Sequence, residues 1–235
     1  MSQSPGIASS GNPGNDTNHD SLGLSQEMTI TVYQLGGSLL SLPGLAFRVR
    51  ELLAQHSLAQ HSDRRPLLLV GGGPTTDIVR GWDRLHRLGE ERSHWLALRS
   101  LMLNEALLLE LMPETRLITS RNEAKDAWSS AQLPLVCAHG FLRAEEARTN
   151  SPLPHTWDVT SDSIAAWITL HWPADQLILL KSVSQPVDDD PQGTGIASPV
   201  DPYFQQLVPQ LPNIGWVNIR NSGLRVEAFQ DRAAR

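Results

Sequence analysis

Residues 32–40 read VYQLGGSLL, an apolar and β-branched run that breaks at two glycines and a serine before leucines resume. This is a strand entering a glycine turn, an arrangement that brings backbone N–H groups close to phosphate. Gln34, just ahead of the turn, is uncharged where a phosphate site is expected to carry a cation. A working phosphate loop, one that has lost its charge and a plain tight turn all fit this stretch alone.

The flanking sequence narrows the choice. PLLLV (66–70) is a continuous apolar run, the mark of a strand buried on both faces, and it ends in Gly71, Gly72 and Gly73 before Pro74. TRLIT (115–119), LPLVCA (133–138), QLILLKSV (176–183) and GWVNI (215–219) also have strand composition. Between them lie helical patterns at 42–58, 75–89, 92–112, 122–131 and 160–172, and a short one in PYFQQLVPQL. In the first, Leu45, Val49, Leu52 and Leu53 share a face; in the second, Ile78, Val79, Trp82 and Leu85 are expected inward with Gly89 as the stop. Strands alternating with long crossovers predict an α/β fold with a doubly wound, mainly parallel sheet and helices on both faces. The stretch 184–202 has loop composition throughout.

In such a sheet ligands bind at the carboxyl ends of the strands. Two successive strands ending in glycine clusters, Gly36-Gly37-Ser38 and Gly71-Gly72-Gly73, predict a paired anion site, helped by the helix starting near Thr75. A third cluster, PLPHTWDVTSDSIAAWI (152–168), sets Asp158 four residues before Asp162 with Thr160 and Ser161 able to cap a helix. It reads either as that cap alone or as two carboxylates able to organise cations or a magnesium–nucleotide.

Other chemistries find no support. There is no G-x-G-x-x-G, no Walker loop, no G-x-S-x-G elbow and no H-E-x-x-H among the eight histidines. The net charge of -6 argues against a general nucleic-acid or anionic-membrane binder. The single cysteine, Cys137, excludes an internal disulfide and reads as a small buried residue in a reducing compartment. No window reaches the roughly 18 apolar residues of a membrane span, and residues 1–27 read as a disordered tail without signal-peptide features. These features predict a soluble, cytoplasmic protein with one domain at 28–235. Seven tryptophans are many for 235 residues and, with the long apolar helix at 92–112, point to a homo-oligomeric interface.

In this order and spacing, VYQLGGSLL, LLLVGGGPTTDIVR, LPHTWDVTSDSIAAWIT and LILLKSV resemble the amino acid kinase family, which includes acetylglutamate, glutamate 5-, aspartate and uridylate kinases. The resemblance covers about residues 29–220. The HTWDVTSDSIAAW stretch is similar to the branch that phosphorylates an aminomethyl-furan phosphate, which also occurs in bacteria with pterin-linked one-carbon pathways. The resemblance implies a three-layer αβα sandwich transferring the γ-phosphoryl of ATP, with Mg2+, to a carboxylate or phosphate of a small-molecule acceptor. By motif, Gly36, Gly37 and Ser38 would cradle the transferring phosphate. Gly71, Gly72, Gly73, Arg80 and Asp158 fall on the acceptor side. Asp162 matches the aspartate that orients catalytic lysines, Lys181 ends the strand feeding the nucleotide loop, and Asp201 with Pro202 resembles the Asp-Pro near the adenine.

Three departures stand against this pattern. The family's K-x-G-G-S lysine is Gln34 here, and loss of such a transition-state contact commonly costs about 10²–10³ in rate. The usual V-D-G is Val183-Ser184-Gln185, followed by Asp188, Asp189 and Asp190. The closing G-T-x-I strand is replaced by GLRVEAFQDRAAR. Two functions follow: a kinase in which Lys181 or Arg80 compensates for Gln34, or a catalytically impaired relative that binds a nucleotide or anion in a regulatory or assembly role.

Overall fold

The computed structural model describes residues 29–60, 64–185 and 199–230; the tail expected at 1–27 and the Asp188–Asp190 run lie outside them. The strands are β1 (Thr29–Leu35), β2 (Arg64–Val70), β3 (Thr115–Ile118), β4 (Leu133–Val136), β5 (Gln176–Lys181), β6 (Ile214–Asn218) and β7 (Glu227–Ala228). They form one sheet in the order β3-β4-β2-β1-β5-β6-β7, parallel except for the antiparallel β6–β7 pair. The helices are α1 (Leu45–Gln60), α2 (Pro74–His86), α3 (Glu90–Leu111), α4 (Arg121–Ser129), α5 (Ala138–Glu145), α6 (Ser161–His171) and α7 (Phe204–Leu207).

The two-residue period of the strands divides the core. Val32, Leu67, Leu69, Leu177 and Leu179 face α5 and α6 on one side. Tyr33, Leu35, Leu68, Val70, Ile178 and Leu180 face α1 on the other. This is the expected layering, and it fixes where Gln34 goes: it pairs in register with Leu69 and Leu179 and so shares their face, under α6. In α6, residues 162–169 are all buried, which explains its apolar composition on every side.

β1 is followed by its neighbour on one side, whereas β5, its neighbour on the other side, leads away to β6. The chain therefore leaves this strand pair in opposite directions, which opens a crevice at the carboxyl ends of β1 and β5.

Several local expectations change. In α2 only Val79 is buried, while Ile78, Trp82 and Leu85 are 53%, 48% and 73% exposed. The helix packs on α3 rather than on the sheet, so positions 78, 82 and 85 fall on its outer side. Gly89 does not stop α2; Arg87, itself left-handed, caps it, and Gly89 (φ 81°) opens α3. LPLVCA ends as strand at Val136, and the following AHGFLRAE forms α5, a helix too short to show in the sequence period. Trp167, Trp172 and Trp216 are core residues; on α3 the exposed apolar side chains are Met102, Leu103, Leu107 and Leu111.

Asp201 joins two of these elements. Its carboxylate accepts from the Thr160 N–H (3.1 Å), the Thr160 hydroxyl (2.7 Å), the Ser163 N–H (3.0 Å), the Ser163 hydroxyl and the Phe204 N–H (2.8 Å). It thus caps α7 locally and α6 from a distance, where Thr160 makes no side-chain cap of its own. Asp201→Asn places an N–H2 among these donors, and urea unfolding should show a loss of about 2–3 kcal/mol with the m-value unchanged.

Candidate active site

The two glycine turns meet backbone to backbone at the crevice. Gly36 N–H donates to Leu180 O (2.9 Å) and Gly71 N–H to Leu35 O (2.8 Å), tying both turns to the strand ends. A Cβ on Gly37 would lie 2.1 Å from Gly73 N and 2.6 Å from Gly73 Cα, so no side chain fits between the turns. Among the described residues, the amides of Gly37, Ser38, Gly72 and Gly73 donate to no partner. Four unpaired N–H groups at two converging turns, one continuing into α2, form a cradle for an anion.

Lys181 and Asp162 stand at its edge. The Lys181 ammonium donates to both Asp162 oxygens (2.7 and 2.6 Å) and to Pro199 O (3.1 Å), and lies 5.7 Å from the Trp216 ring centroid. Burial pushes the Asp162 carboxyl above its ordinary value, against the opposing pull of Lys181. The ammonium bonded to both oxygens favours the carboxylate form and so works against that rise. Ser38 and Ser182 hydroxyls share a bond (3.0 Å) that closes β1's turn onto the end of β5.

Gln34 is fully buried beneath this edge; its amide N–H donates to Ser161 Oγ (3.0 Å), and its Oε1 has no partner. It therefore brings a neutral dipole to the first turn of α6 and no charge.

On the far side of the turns lies a cavity of about 160 Å³. Gly37, Gly72 and Gly73 form one end, Ala97, Leu98, Leu101, Val159 and Ile164 the apolar walls, and Thr160 and Ser161 the rim towards α6. Arg80 also lines it, its guanidinium 4.9 Å from the Trp157 ring centroid and 3.2 Å from Asp77.

Of the residues expected from sequence, the structure brings together Gly36, Gly37, Ser38, Gly71, Gly72, Gly73, Gln34, Asp162 and Lys181, with Arg80 across the cavity. Asp158 is exposed and outside the cavity lining. Asp201 is reached by five donors from α6 and α7, so its oxygens hold those helices.

From the sequence, His94 reads equally well as a pocket, core or subunit-contact residue. It lines the cavity, is 5% exposed and keeps a partnerless Nε2. Its ring stacks on His155 (4.6 Å), which is held between Glu91 (2.6 Å) and Glu146 (3.1 Å). The only signal in the sequence is a histidine one helical turn before Leu98.

The class is therefore a doubly wound α/β protein in which the glycine turns after β1 and β2 meet at the strand ends with a lysine–aspartate pair beside them. The amino acid kinase family model matches residues 29–201, and the chain belongs to that family. No curated protein sequence matches it. Its fold is similar to the UMP kinase of Ureaplasma parvum (TM-score 0.58, 15% identity, 84% of this chain and 92% of that one). It is also similar to the uridylate kinase of Archaeoglobus fulgidus (0.52, 17%, 83% and 97%) and the UMP kinase of Bacillus anthracis (0.56, 12%, 83% and 89%).

Two buried imidazoles make the fold acid-sensitive. Burial, with His155 adding to it and Glu91 opposing, holds His94 down at about 4; burial and Arg64 do the same to His56, which is bonded to the Tyr33 hydroxyl (2.6 Å). Between the ordinary 6.5 and about 4 the unfolded chain binds protons that the folded chain does not. Stability is therefore full above this window and falls as pH drops through it, by about 3 kcal/mol per ring at the acid end. His94→Gln and His56→Gln should each flatten the slope of unfolding free energy against pH there. An unchanged slope in both would place the acid sensitivity elsewhere.

Proposed function

We propose that this chain is an ATP-dependent phosphotransferase acting on a carboxylate or phosphate of a small molecule. The observation that carries the reading is the cradle of four unpaired N–H groups between the Lys181–Asp162 pair and a largely apolar cavity. Such transfer needs positioning and charge neutralisation more than covalent help from the protein.

The donor set fits a polyphosphate, since backbone N–H groups and an ammonium all offer hydrogen to oxygen. No group of three or more His, Cys, Asp or Glu able to hold a metal occurs among the described residues. Magnesium would reach the site on the nucleotide's own phosphates. Bound Mg-ATP supplies the phosphoryl group and part of the neutralising charge. On the protein side, Gly37 and Ser38 amides orient the transferring group, and Gly72 and Gly73 amides face the acceptor. Lys181, released in part from Asp162, offers its ammonium to developing negative charge. Arg80 supplies a second cation from the acceptor side, and its stacking on Trp157 limits its sweep. The apolar walls suit an acceptor with a compact, flat body. With the HTWDVTSDSIAAW stretch, this supports an aminomethyl-furan phosphate-type acceptor in pterin- or furan-linked cofactor synthesis.

One observation favours a second reading. Gln34 is spent on Ser161, and Lys181 is neutralised by Asp162. A cradle so short of charge suits a catalytically impaired protein that binds a nucleotide or anion in a regulatory or assembly role. Mg-ATP with a panel of small phosphorylated amines separates the two. A kinase releases ADP only with acceptor present, and Asp162→Asn lowers kcat/KM by about 10²-fold or more. ATP binding without turnover, converted to turnover by Gln34→Lys, establishes the second reading instead.

We also propose that the protein is a homo-oligomer through the outer face of α3. Met102, Leu103 and Leu107 are exposed there between Arg99 and Glu110. Two such helices laid antiparallel set Leu103 against Ala106, Met102 against Leu107 and Arg99 against Glu110. Light scattering should give a mass above one chain of 25.9 kDa, and Leu103→Glu with Leu107→Glu should return it to that mass. A wild type already monomeric at micromolar concentration would rule the interface out. No helix among the described residues is long and apolar enough to cross a membrane.

A further inference from the structure

Asn104 sits in the middle of the 22-residue α3 and is 3% exposed. Its side-chain N–H2 donates to Gly71 O (2.8 Å), Gly72 O (2.7 Å) and Thr75 Oγ1 (3.0 Å). Thr75 in turn donates its hydroxyl to Gly72 O (2.7 Å). Two of the three acceptors are carbonyls, so only the nitrogen end of the Asn104 amide can face the turn. Asparagine is a poor interior helix residue and costly to bury. Both costs are offset here by bonds to one turn.

The turn needs such a partner. Three successive glycines leave the peptide planes with little preference of their own, and Gly73 is already at φ 53°. The C=O and N–H of a trans peptide point in opposite directions. Holding the Gly71 and Gly72 carbonyls against Asn104 therefore turns the Gly72 and Gly73 N–H groups away from it, towards Gly37 and the cavity. If either plane rotated, a carbonyl would face the anion instead.

We propose that Asn104 is the positioning residue of the acceptor-side half of the cradle, fixing the amide direction of Gly72 and Gly73 from the core side without touching the ligand. The inference rests on the phosphate-handling reading of the glycine turns. The informative variant is Asn104→Asp, which keeps the shape and replaces the donor by an acceptor. At pH 7.5 it sets a carboxylate against two carbonyls; once protonated, it can donate again.

The probe is inorganic phosphate, titrated into the full chain labelled with 15N-glycine. In the wild type, phosphate should shift the Gly72 and Gly73 amides with little pH dependence beyond that of phosphate itself. In Asn104→Asp the affinity read at these amides should fall at least tenfold at pH 7.5 and recover as pH is lowered to 5.5. Thr75→Val, which removes the shared hydroxyl and keeps Asn104, should cost about threefold with the fold intact. Asn104→Leu should match Asn104→Asp at pH 7.5 and show no recovery in acid. Equal, pH-independent losses in Asn104→Asp and Asn104→Leu would make Asn104 a packing residue and overturn the proposal. So would undiminished affinity in Asn104→Asp, or in Thr75→Val if Asn104→Asp does not fold. A wild type in which phosphate shifts neither glycine would remove the cradle itself, and the proposal with it, a result distinct from failure of the variants alone.

Discussion

The site depends on one steric constraint, the contact of two peptide backbones with no side chain between them. Gly37 against Gly73 brings the ends of β1 and β2 closer than any Cβ would permit. Only then do N–H groups from two turns reach one ligand. Much of the surrounding structure serves this approach. The parallel β1–β2 register sets both turns at one level, and bonds to Leu35 and Leu180 tie the turns to the sheet. The buried α6 brings Ser161 and Asp162 to the same edge.

Electrostatics then decides what the cradle can do. Amide N–H groups attract anions but carry only partial charge, so a polyphosphate needs formal cations nearby. The described site offers Lys181 and Arg80, and each has a carboxylate partner, Asp162 and Asp77. The Lys181–Asp162 pair is buried and the Arg80–Asp77 pair is exposed. Freeing Lys181 would leave a buried carboxylate behind, whereas Arg80 can turn away from Asp77 at little cost. The cation that costs less to redeploy is Arg80, which lines the cavity, rather than Lys181.

How far the sequence foretold this varies by element, for physical reasons. The layered fold and both glycine turns were legible because unbroken apolar strands and glycine clusters are local signals. Lys181 and Asp162 stand out through the resemblance to the family's motifs rather than through any local pattern. The orientation of α2 was not, since its Ile78, Trp82 and Leu85 period describes an apolar face without saying whether the face is covered. Asp201 was placed near a nucleotide by its proline neighbour, yet its oxygens bind α6 and α7, a long-range arrangement that no local pattern encodes. Asn104 leaves one trace, a lone asparagine in the apolar run LMLNEALLLELM, which no local pattern ties to the glycine turn. His94 left less, because histidine fits the core and the surface alike.

The indole of Trp216 beneath the Lys181 ammonium gives the site an optical property. A cation held against one face of a buried indole biases its excited-state energy through the local field. Any anion that draws the ammonium off the ring changes that field at a chromophore it never contacts. The fold therefore carries an intrinsic reporter of the charge state of the Lys181–Asp162 edge, and the difference in emission between the native chain and Trp216→Phe isolates it from the other six tryptophans.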